Sequence, residues 1–262
     1  MPSIGLGTWQ LTGHKCLHAV KKAFELDYRH IDTAEMYMNE SEIGISIKES
    51  KIPREKLFIT SKVWPENLDY YRVLAACEQS LAKLETHYLN QYLLHWPNKN
   101  INYGEILKAF KLLYPKKIKA FGVSNFTINH LKDIIPICKK LNLPLTVNQV
   151  EFHPLLYQKE LLEFCKKNKI VITAYSPLAR EKITENEAIK EVSKKYNKTP
   201  SQISLKWLLQ KGIVVIPKAG SEIHLKQNIE LNFKLNKEDI KKIDNIKEKT
   251  RVINPDFAEF GD

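Results

Sequence analysis

The chain has 262 residues, a formal net charge of +11, 43% apolar residues and 10% aromatic residues. This composition provides for a sizeable core, and without a linker or low-complexity stretch we expect one α/β domain over residues 1–262. No apolar run reaches the roughly 18 residues of a membrane span, and the first residues lack the basic-then-apolar pattern of a signal peptide. We therefore expect a cytoplasmic protein that does not bind a membrane.

The cysteines and the positive charge narrow the class of partner. Four cysteines are widely spaced without a Cys-x-x-Cys pair, which predicts free thiols in a reducing compartment and no zinc site. The charge predicts an anionic partner, either nucleic acid or a phosphate-bearing cofactor. Because the lysines lie in helical stretches without interleaved aromatics, we interpret them as solvated helix faces and expect no nucleic-acid partner.

Eight short, apolar, β-branched runs predict strands. In chain order they cover residues 3–9, 30–34, 57–63, 91–96, 118–125, 145–150, 170–176 and 213–217. Helical periodicity follows each run, at residues 15–26, a stretch ending at 48, 69–86, 104–113, a stretch ending at 140, 157–168, 185–197, 200–211, a start near 222, and 237–247. Polar residues suited to helix N-caps are Asn39 or Ser41, Thr127 and Thr199.

Near-continuous apolar strands are buried on both faces, which indicates a parallel sheet. Eight strand–helix units with short connections predict a closed (β/α)₈ TIM barrel. The alternative is an open doubly wound sheet, but no GxGxxG turn follows any strand.

Reactive side chains lie at the carboxyl ends of predicted strands, where such barrels carry their chemistry. Asp32 and Tyr37 follow the second strand, Lys62 lies at the end of the third and His95 at the end of the fourth. A nearby ammonium lowers the pKa of a phenol from about 10, so we expect Tyr37 to exchange a proton near neutral pH. Asp32 would hold Lys62 in place, and neutral His95 would orient a substrate oxygen. The set predicts proton delivery to a carbonyl oxygen.

Each of these residues alone has a simpler interpretation as a helix cap, an ion-pair partner or core packing. Other chemistries lack their residues: no nucleophile stands beside a base, no two carboxylates are paired as in glycosidases, and no His/Asp/Glu cluster suggests a metal. The combination of four reactive types on three strand ends favours the catalytic interpretation.

Motifs along almost the whole chain resemble, in the same order, those of the aldo-keto reductase superfamily, notably its small prokaryotic-type members similar to 2,5-diketo-gluconate reductase. These motifs are Gly5-Leu-Gly-Thr-Trp9, Tyr28-Arg-His-Ile-Asp-Thr-Ala34, Ser61-Lys-Val-Trp64, Leu94-His-Trp-Pro97, Gly122-Val-Ser-Asn-Phe126, Asn148-Gln149, Ala174-Tyr-Ser-Pro-Leu178 and Ile216-Pro-Lys218. The resemblance implies a (β/α)₈ barrel that reduces aldehydes or ketones with a nicotinamide cofactor.

The resemblance also implies a role for each site residue. Tyr37 is the general acid, assisted by Lys62 and Asp32, while His95 orients the carbonyl. The implied cofactor-binding residues are Ser124, Asn125 and Gln149 at the carboxamide, Tyr175 at the nicotinamide ring, Ser176, Pro177 and Leu178 along the pyrophosphate, and Lys218, Ser221, His224, Gln227 and Asn228 at the adenosine 2′-phosphate and adenine. The implied walls of the substrate pocket are Trp9, Trp64 and Trp96.

The sequence departs from the family pattern where the 2′-phosphate would bind. Ala219 replaces a hydroxyl residue, His224 replaces an arginine, and Gln227 replaces a glutamate. An arginine fork binds a phosphate dianion better than an imidazole does. Lys218 and Ser221 still favour NADPH, and the departures predict looser binding or tolerance of NADH.

The ends of the chain and one loop also depart from the family. Only Met1 and Pro2 precede the first strand, so we expect no N-terminal hairpin to plug the barrel. The loop after His95 and the tail after Arg251 are short, which predicts an open site with broad specificity for small aldehydes.

Two further hypotheses remain beside the carbonyl reductase. One is a non-catalytic, cofactor-binding redox sensor of the same fold, although such a protein has no need of Tyr37. The other is a barrel in which Lys62 forms a Schiff base with a carbonyl substrate. We expect a monomer because the family is commonly monomeric and no coiled-coil segment is present.

Overall fold

A computed structural model describes residues 1–260 of the chain. Eight parallel strands form one sheet whose spatial order follows the chain. They are β1 (Leu6–Gly7), β2 (His30–Asp32), β3 (Phe58–Val63), β4 (Gln91–Leu94), β5 (Phe121–Ser124), β6 (Leu145–Glu151), β7 (Val171–Tyr175) and β8 (Val214–Val215).

Helices surround the sheet and cover it. Within residues 1–260 the α-helices are α1 (Gly13–Glu25), α2 (Glu40–Ser50), α3 (Tyr70–Lys83), α4 (Tyr103–Leu113), α5 (Ile128–Lys140), α6 (Lys159–Lys167), α7 (Glu187–Tyr196), α8 (Pro200–Gln210), α9 (Glu222–Ile229) and α10 (Lys237–Asp244). Helix α3 shows how they pack, because Val73, Ala76, Cys77 and Leu81 lie three or four residues apart and are all buried. None of the helices in this part of the chain is long and apolar enough to cross a membrane.

The first and last strands join and close the sheet into the predicted (β/α)₈ barrel. The backbone N–H of Gly5 donates to the carbonyl of Val215 at 2.8 Å, and the N–H of Val215 donates to Ser3 at 3.0 Å. A Cβ atom on Gly7 would lie 2.5 Å from the carbonyl oxygen of Ile216, so the two strands meet closely only with glycine at this position. Among residues 1–260 no hairpin precedes β1.

Several predicted boundaries were too wide. Strands β1 and β8 have two residues each, because Pro217 has no N–H to extend the ladder and only its carbonyl accepts from Gly7, at 3.2 Å. Helix α7 begins at Glu187 rather than residue 185, since residues 179–185 form 3₁₀ turns interrupted by positive φ at Arg180 and Glu181, and Asn186 caps α7. Helix α10 ends three residues earlier than predicted.

Two predicted helix caps are confirmed, and of the alternatives Asn39 and Ser41 for the third, Asn39 holds the position without making the bond. The hydroxyls of Thr127 and Thr199 both form capping boxes at the starts of α5 and α8. Asn39 stands at the N-cap position of α2, but its side chain makes no capping bond. Its amide instead donates to the carbonyls of Thr8 at 2.9 Å and Leu11 at 2.8 Å. The carbonyl groups of the loop after β1 compete successfully for this side chain.

Candidate active site

Consecutive strands bring Asp32, Tyr37, Lys62 and His95 to one end of the barrel. Asp32 is the last residue of β2, and a 3₁₀ turn after that strand carries Tyr37. Lys62 lies next to the end of β3, and its ammonium contacts Asp32 Oδ1 at 2.5 Å, the Thr33 carbonyl at 2.8 Å and Tyr37 Oη at 3.3 Å. The predicted convergence of aspartate, lysine and tyrosine is present in the structure.

The side chains of Lys62 and Asp32 form a buried ion pair. Lys62 is 0% exposed and Asp32 2% exposed. Burial alone lowers the pKa of the Lys62 ammonium, but Asp32 and Tyr37 together outweigh it and raise that pKa above its ordinary value. A cation therefore stands beside the Tyr37 phenol, with its desolvation offset by three oxygen partners.

The pKa of the Tyr37 phenol is shifted in the direction opposite to the prediction. Burial raises the pKa of the Tyr37 phenol, and Lys62 opposes that rise without overcoming it. The prediction of a lowered pKa is therefore wrong in direction, because desolvation of the phenolate exceeds the attraction of the ammonium. A raised pKa favours the protonated hydroxyl, which is the form that a proton donor requires.

His95 is neutral, as predicted. Burial, followed by the charge of Lys62, holds the pKa of its imidazole well below the usual range. The ring meets that of Tyr37 edge-on, with centroids 5.6 Å apart, and that of Trp64 at 5.0 Å. A neutral imidazole beside the phenol can donate its N–H to a substrate oxygen.

The residues predicted to hold the carboxamide form one hydrogen-bonded cluster. Asn125 Nδ2 donates to the His95 carbonyl at 3.0 Å, and Asn125 Oδ1 accepts from Tyr175 Oη at 2.7 Å. Ser124 Oγ donates to the backbone of Gln149 at 2.8 Å. Their assignment to a cofactor stays a prediction, and the structure places them next to the reactive set.

Gln149 makes a contact that sequence reasoning missed. Its Nε2 donates to Asp32 Oδ2 at 2.6 Å, so the two oxygens of Asp32 have different partners, Lys62 and Gln149. No motif spacing signals this contact, because β2 and β6 are not neighbours in the sheet and meet only across the barrel interior.

The residues predicted for the phosphate end lie around β8 and α9. Lys218 and His224 are exposed, and Ser221 Oγ caps α9 by accepting from the backbone N–H of His224 at 3.4 Å. Asn228 is 3% exposed, and its Nδ2 has no hydrogen-bond partner among the described residues. Gln227 is half-buried. The residues predicted for the pyrophosphate are half-buried Ser176 and Leu178 and buried Pro177.

Two of the three tryptophans predicted for the wall of the substrate pocket share a contact with Phe257, and the assignment of all three stays a prediction. Trp64 and Trp96 both meet Phe257 edge-on, with centroids 5.8 and 5.3 Å apart. Trp9 instead lies under Arg180, whose guanidinium carbon is 5.0 Å from the ring centre. Sequence reasoning missed Phe257, since the tail that carries it has no strand or helix pattern. The open site and broad specificity that the short tail suggested stay predictions.

Comparison with known proteins agrees with this geometry. Residues 3–248 match the model of the aldo/keto reductase family. The chain is 44% identical over 264 residues to the glyoxal reductase of Bacillus subtilis. The alignment covers 99% of this chain and 94% of that protein.

Solved structures agree as well. An aldo-keto reductase from a Medee basin deep-sea metagenome library superposes with a TM-score of 0.92 at 39% identity, over 100% of this chain and 96% of that one. The silkworm Bombyx mori enzyme, solved in complex with NADPH, gives 0.90 at 34% identity, over 98% and 88%. The chain is therefore a member of the aldo/keto reductase family of oxidoreductases, as the barrel, the reactive set at its strand ends and these matches show together.

Proposed function

We propose that this protein reduces small reactive aldehydes and dicarbonyls to alcohols with NADPH, and that Tyr37 is the general acid. The observation that carries the proposal is the contact of the Lys62 ammonium with both Asp32 and Tyr37. The glyoxal reductase of B. subtilis supports the choice of a small dicarbonyl as substrate.

The described residues fit a dinucleotide with a nicotinamide at the reactive end. Ser124, Asn125 and Gln149 offer amide and hydroxyl groups beside His95, and Tyr175 offers a half-buried ring. Asn228 offers a buried donor without a protein partner, which suits an acceptor on a purine. When bound, the nicotinamide supplies the hydride for reduction.

The protein residues then manage the proton and the developing charge. Tyr37 Oη donates its proton to the carbonyl oxygen, and the ammonium of Lys62 stabilises the resulting phenolate. Asp32 holds that ammonium in place, and its other oxygen is tied to Gln149. Neutral His95 fixes the carbonyl oxygen near the phenol.

The first test compares glyoxal-dependent NADPH oxidation by wild type and Tyr37→Phe. We expect kcat to fall by about 100-fold or more without the general acid, while the Kd for NADPH stays the same. Tyr71→Phe is the matched control, because Tyr71 is 80% exposed and outside the site. Equal turnover by wild type and Tyr37→Phe would refute the assignment, and tight NADPH binding without any turnover would favour the binding-only alternative.

The second test concerns the choice of cofactor. If Lys218 and Ser221 bind the 2′-phosphate and His224 binds it weakly, His224→Arg lowers the Kd for NADPH by about tenfold and leaves that for NADH unchanged. His87→Arg is the matched control, since it adds the same exposed charge after α3, at the other end of the barrel. A wild-type preference for NADPH of several orders of magnitude would contradict the proposed tolerance of NADH.

We further propose that the protein acts as a monomer in the cytoplasm, without nucleic acid. Four free, buried thiols suit a reducing compartment. Sedimentation of the protein in dilute solution, fractionation of its host cells and a DNA-binding measurement at low salt test these three points.

A further inference from the structure

The tail after α10 crosses the mouth of the barrel and is fastened at two places. At the near end, the backbone N–H of Thr250 donates to Leu155, in the segment between β6 and α6, at 2.8 Å. At the far end, Glu259 accepts from the backbone N–H of Lys99 at 3.2 Å and lies 3.4 Å from His130 Nε2. Phe257 lies between these points.

A single carboxylate fixes the direction of this tail. Glu151 is the last residue of β6 and is 0% exposed. Its Oε1 accepts from the backbone N–H of Val252 at 2.7 Å, and its Oε2 accepts from Ile253 at 2.8 Å. His153 Nε2 lies 2.9 Å from Oε1 and completes the set. We propose that Glu151 is a positioning residue, which sets the substrate range by holding the tail so that Phe257 packs on Trp64 and Trp96.

The chemistry of the anchor supports this role. A buried carboxylate is costly to desolvate, and charge-assisted bonds to two backbone N–H groups and an imidazole offset that cost. The Glu151 carboxylate makes no hydrogen bond to Asp32, Tyr37, Lys62 or His95 within residues 1–260. Its charge also acts on the phenol of Tyr175, its register partner in β7, so a variant of the tail itself is needed to separate the two routes. A backbone contact also fixes the tail independently of the side chains of Val252 and Ile253.

The consequence for substrates follows from the exposure of Phe257. Its side chain is half exposed while its ring meets two tryptophans at nearly right angles, so part of the ring remains accessible to a ligand. An aromatic aldehyde bound under this ring gains an aromatic contact that glyoxal is too small to make. This inference rests on the proposed carbonyl reductase activity.

The test measures KM and kcat for 4-nitrobenzaldehyde and glyoxal in wild type, Glu151→Gln, Phe257→Ala and the double variant. Glutamine keeps the shape of Glu151 but sets an amide N–H group against a backbone N–H. We expect Glu151→Gln to raise the ratio of the KM for 4-nitrobenzaldehyde to that for glyoxal by about threefold to tenfold, with kcat for both within about twofold. Glu163→Gln on α6 is the control, because its side chain is 66% exposed.

The double variant identifies the route of the effect. If Glu151 acts through Phe257, the double variant shows the same ratio as Phe257→Ala alone. Additive effects, or an equal loss of kcat for both aldehydes in Glu151→Gln, would overturn the proposal. Should Glu151→Gln not fold, an unchanged ratio in Phe257→Ala would overturn it alone. Absence of glyoxal turnover in the wild type would instead refute the proposed function.

Discussion

At the scale of single residues, Glu40 carries a buried carboxyl group that contacts Ser61, the residue before Lys62 in β3. It is 1% exposed, its Oε1 accepts from Ser61 Oγ at 2.6 Å, and its Oε2 has no partner in the described part of the chain. Burial raises the pKa of this carboxyl, and Ser61 and Ser80 only partly oppose the rise. The folded state therefore binds the proton of Glu40 more tightly than the unfolded chain does.

This preference predicts that Glu40→Gln stabilises the protein above acidic pH. An acid whose pKa is raised on folding loses stability as the pH rises above its unfolded value of about 4.3, until the folded pKa is passed. We expect the Tm of Glu40→Gln to exceed that of wild type by about 2–4 °C at pH 8, with the gap closing toward pH 4. Calorimetry across this range measures it.

The exposed Glu49 on the same helix provides the control for this experiment. Glu49→Gln should change Tm little, since the ion pair of Glu49 with Lys21 is solvent-exposed and such pairs contribute little to stability. A difference between Glu40→Gln and wild type that does not vary with pH would mean that the amide acts through packing rather than through charge.

At the scale of elements, the loops after β1 and β2 are joined by one side chain. Asn39 donates to Thr8 and Leu11 in the first loop, and its Oδ1 accepts from Thr33 Oγ1 at 2.7 Å in the second. The second loop carries Tyr37. Asn39 thus holds the segment with Tyr37, the proposed general acid, against the first loop.

Removing this junction should destabilise the fold more than removing a helix cap. Asn39→Ala removes the side-chain donor to the Leu11 carbonyl and the acceptor of the Thr33 hydroxyl, while the Thr8 carbonyl keeps the backbone N–H of Leu11. We therefore expect a loss of about 2–4 kcal/mol in the free energy of unfolding, against about 1 kcal/mol for Thr199→Ala at the cap of α8. Chemical denaturation measures both losses. Ser41→Ala, at an exposed position of α2, should change little, and an equally small loss in Asn39→Ala would contradict this account.

The elements also show how far local sequence reaches. The hydroxyls of Thr127 and Thr199 were predictable as caps, because the donors they satisfy lie three residues away. The capping prediction for Asn39 failed, since its competing partners lie 28 and 31 residues away in the chain. The identity of the strands followed from the apolar runs. The length of β8 instead depended on its backbone hydrogen bonds, because Pro217 has no N–H to extend the ladder.

The same distinction holds for the site. Asp32, Lys62 and His95 were predictable because parallel strands bring their carboxyl ends to one edge. The pKa direction of Tyr37 was not, since it depends on how much water the fold excludes. Phe257 was also unpredictable, because its place is set by Glu151, which precedes it by about 100 residues and holds backbone rather than side chains.

At the scale of the whole molecule, four buried thiols can serve as probes of whether the core is folded. Cys16, Cys77, Cys138 and Cys165 are buried in α1, α3, α5 and α6. Burial raises the pKa of each thiol to about 12, so little thiolate is present at pH 8.

If residues 1–262 form one domain, as we propose, these thiols become reactive together. We expect iodoacetamide to leave the native protein unlabelled and to label all four thiols across a single denaturant transition, as followed by intact mass. Wild-type protein held in high denaturant defines complete labelling. Labelling in two stages would contradict a single cooperative domain.

Closure of the barrel by Ser3 and Gly5 against Val215 has a consequence during protein synthesis. Translation at about 5–20 residues per second delivers β8 to the cytosol roughly 10–40 s after β1 has left the ribosome. Throughout that interval the growing sheet has two open edges, which attract other unpaired strands. We therefore expect the ribosome-bound chain to be prone to aggregation until β8 has been synthesised. Slower growth at lower temperature should favour soluble expression by reducing the concentration of these incomplete barrels.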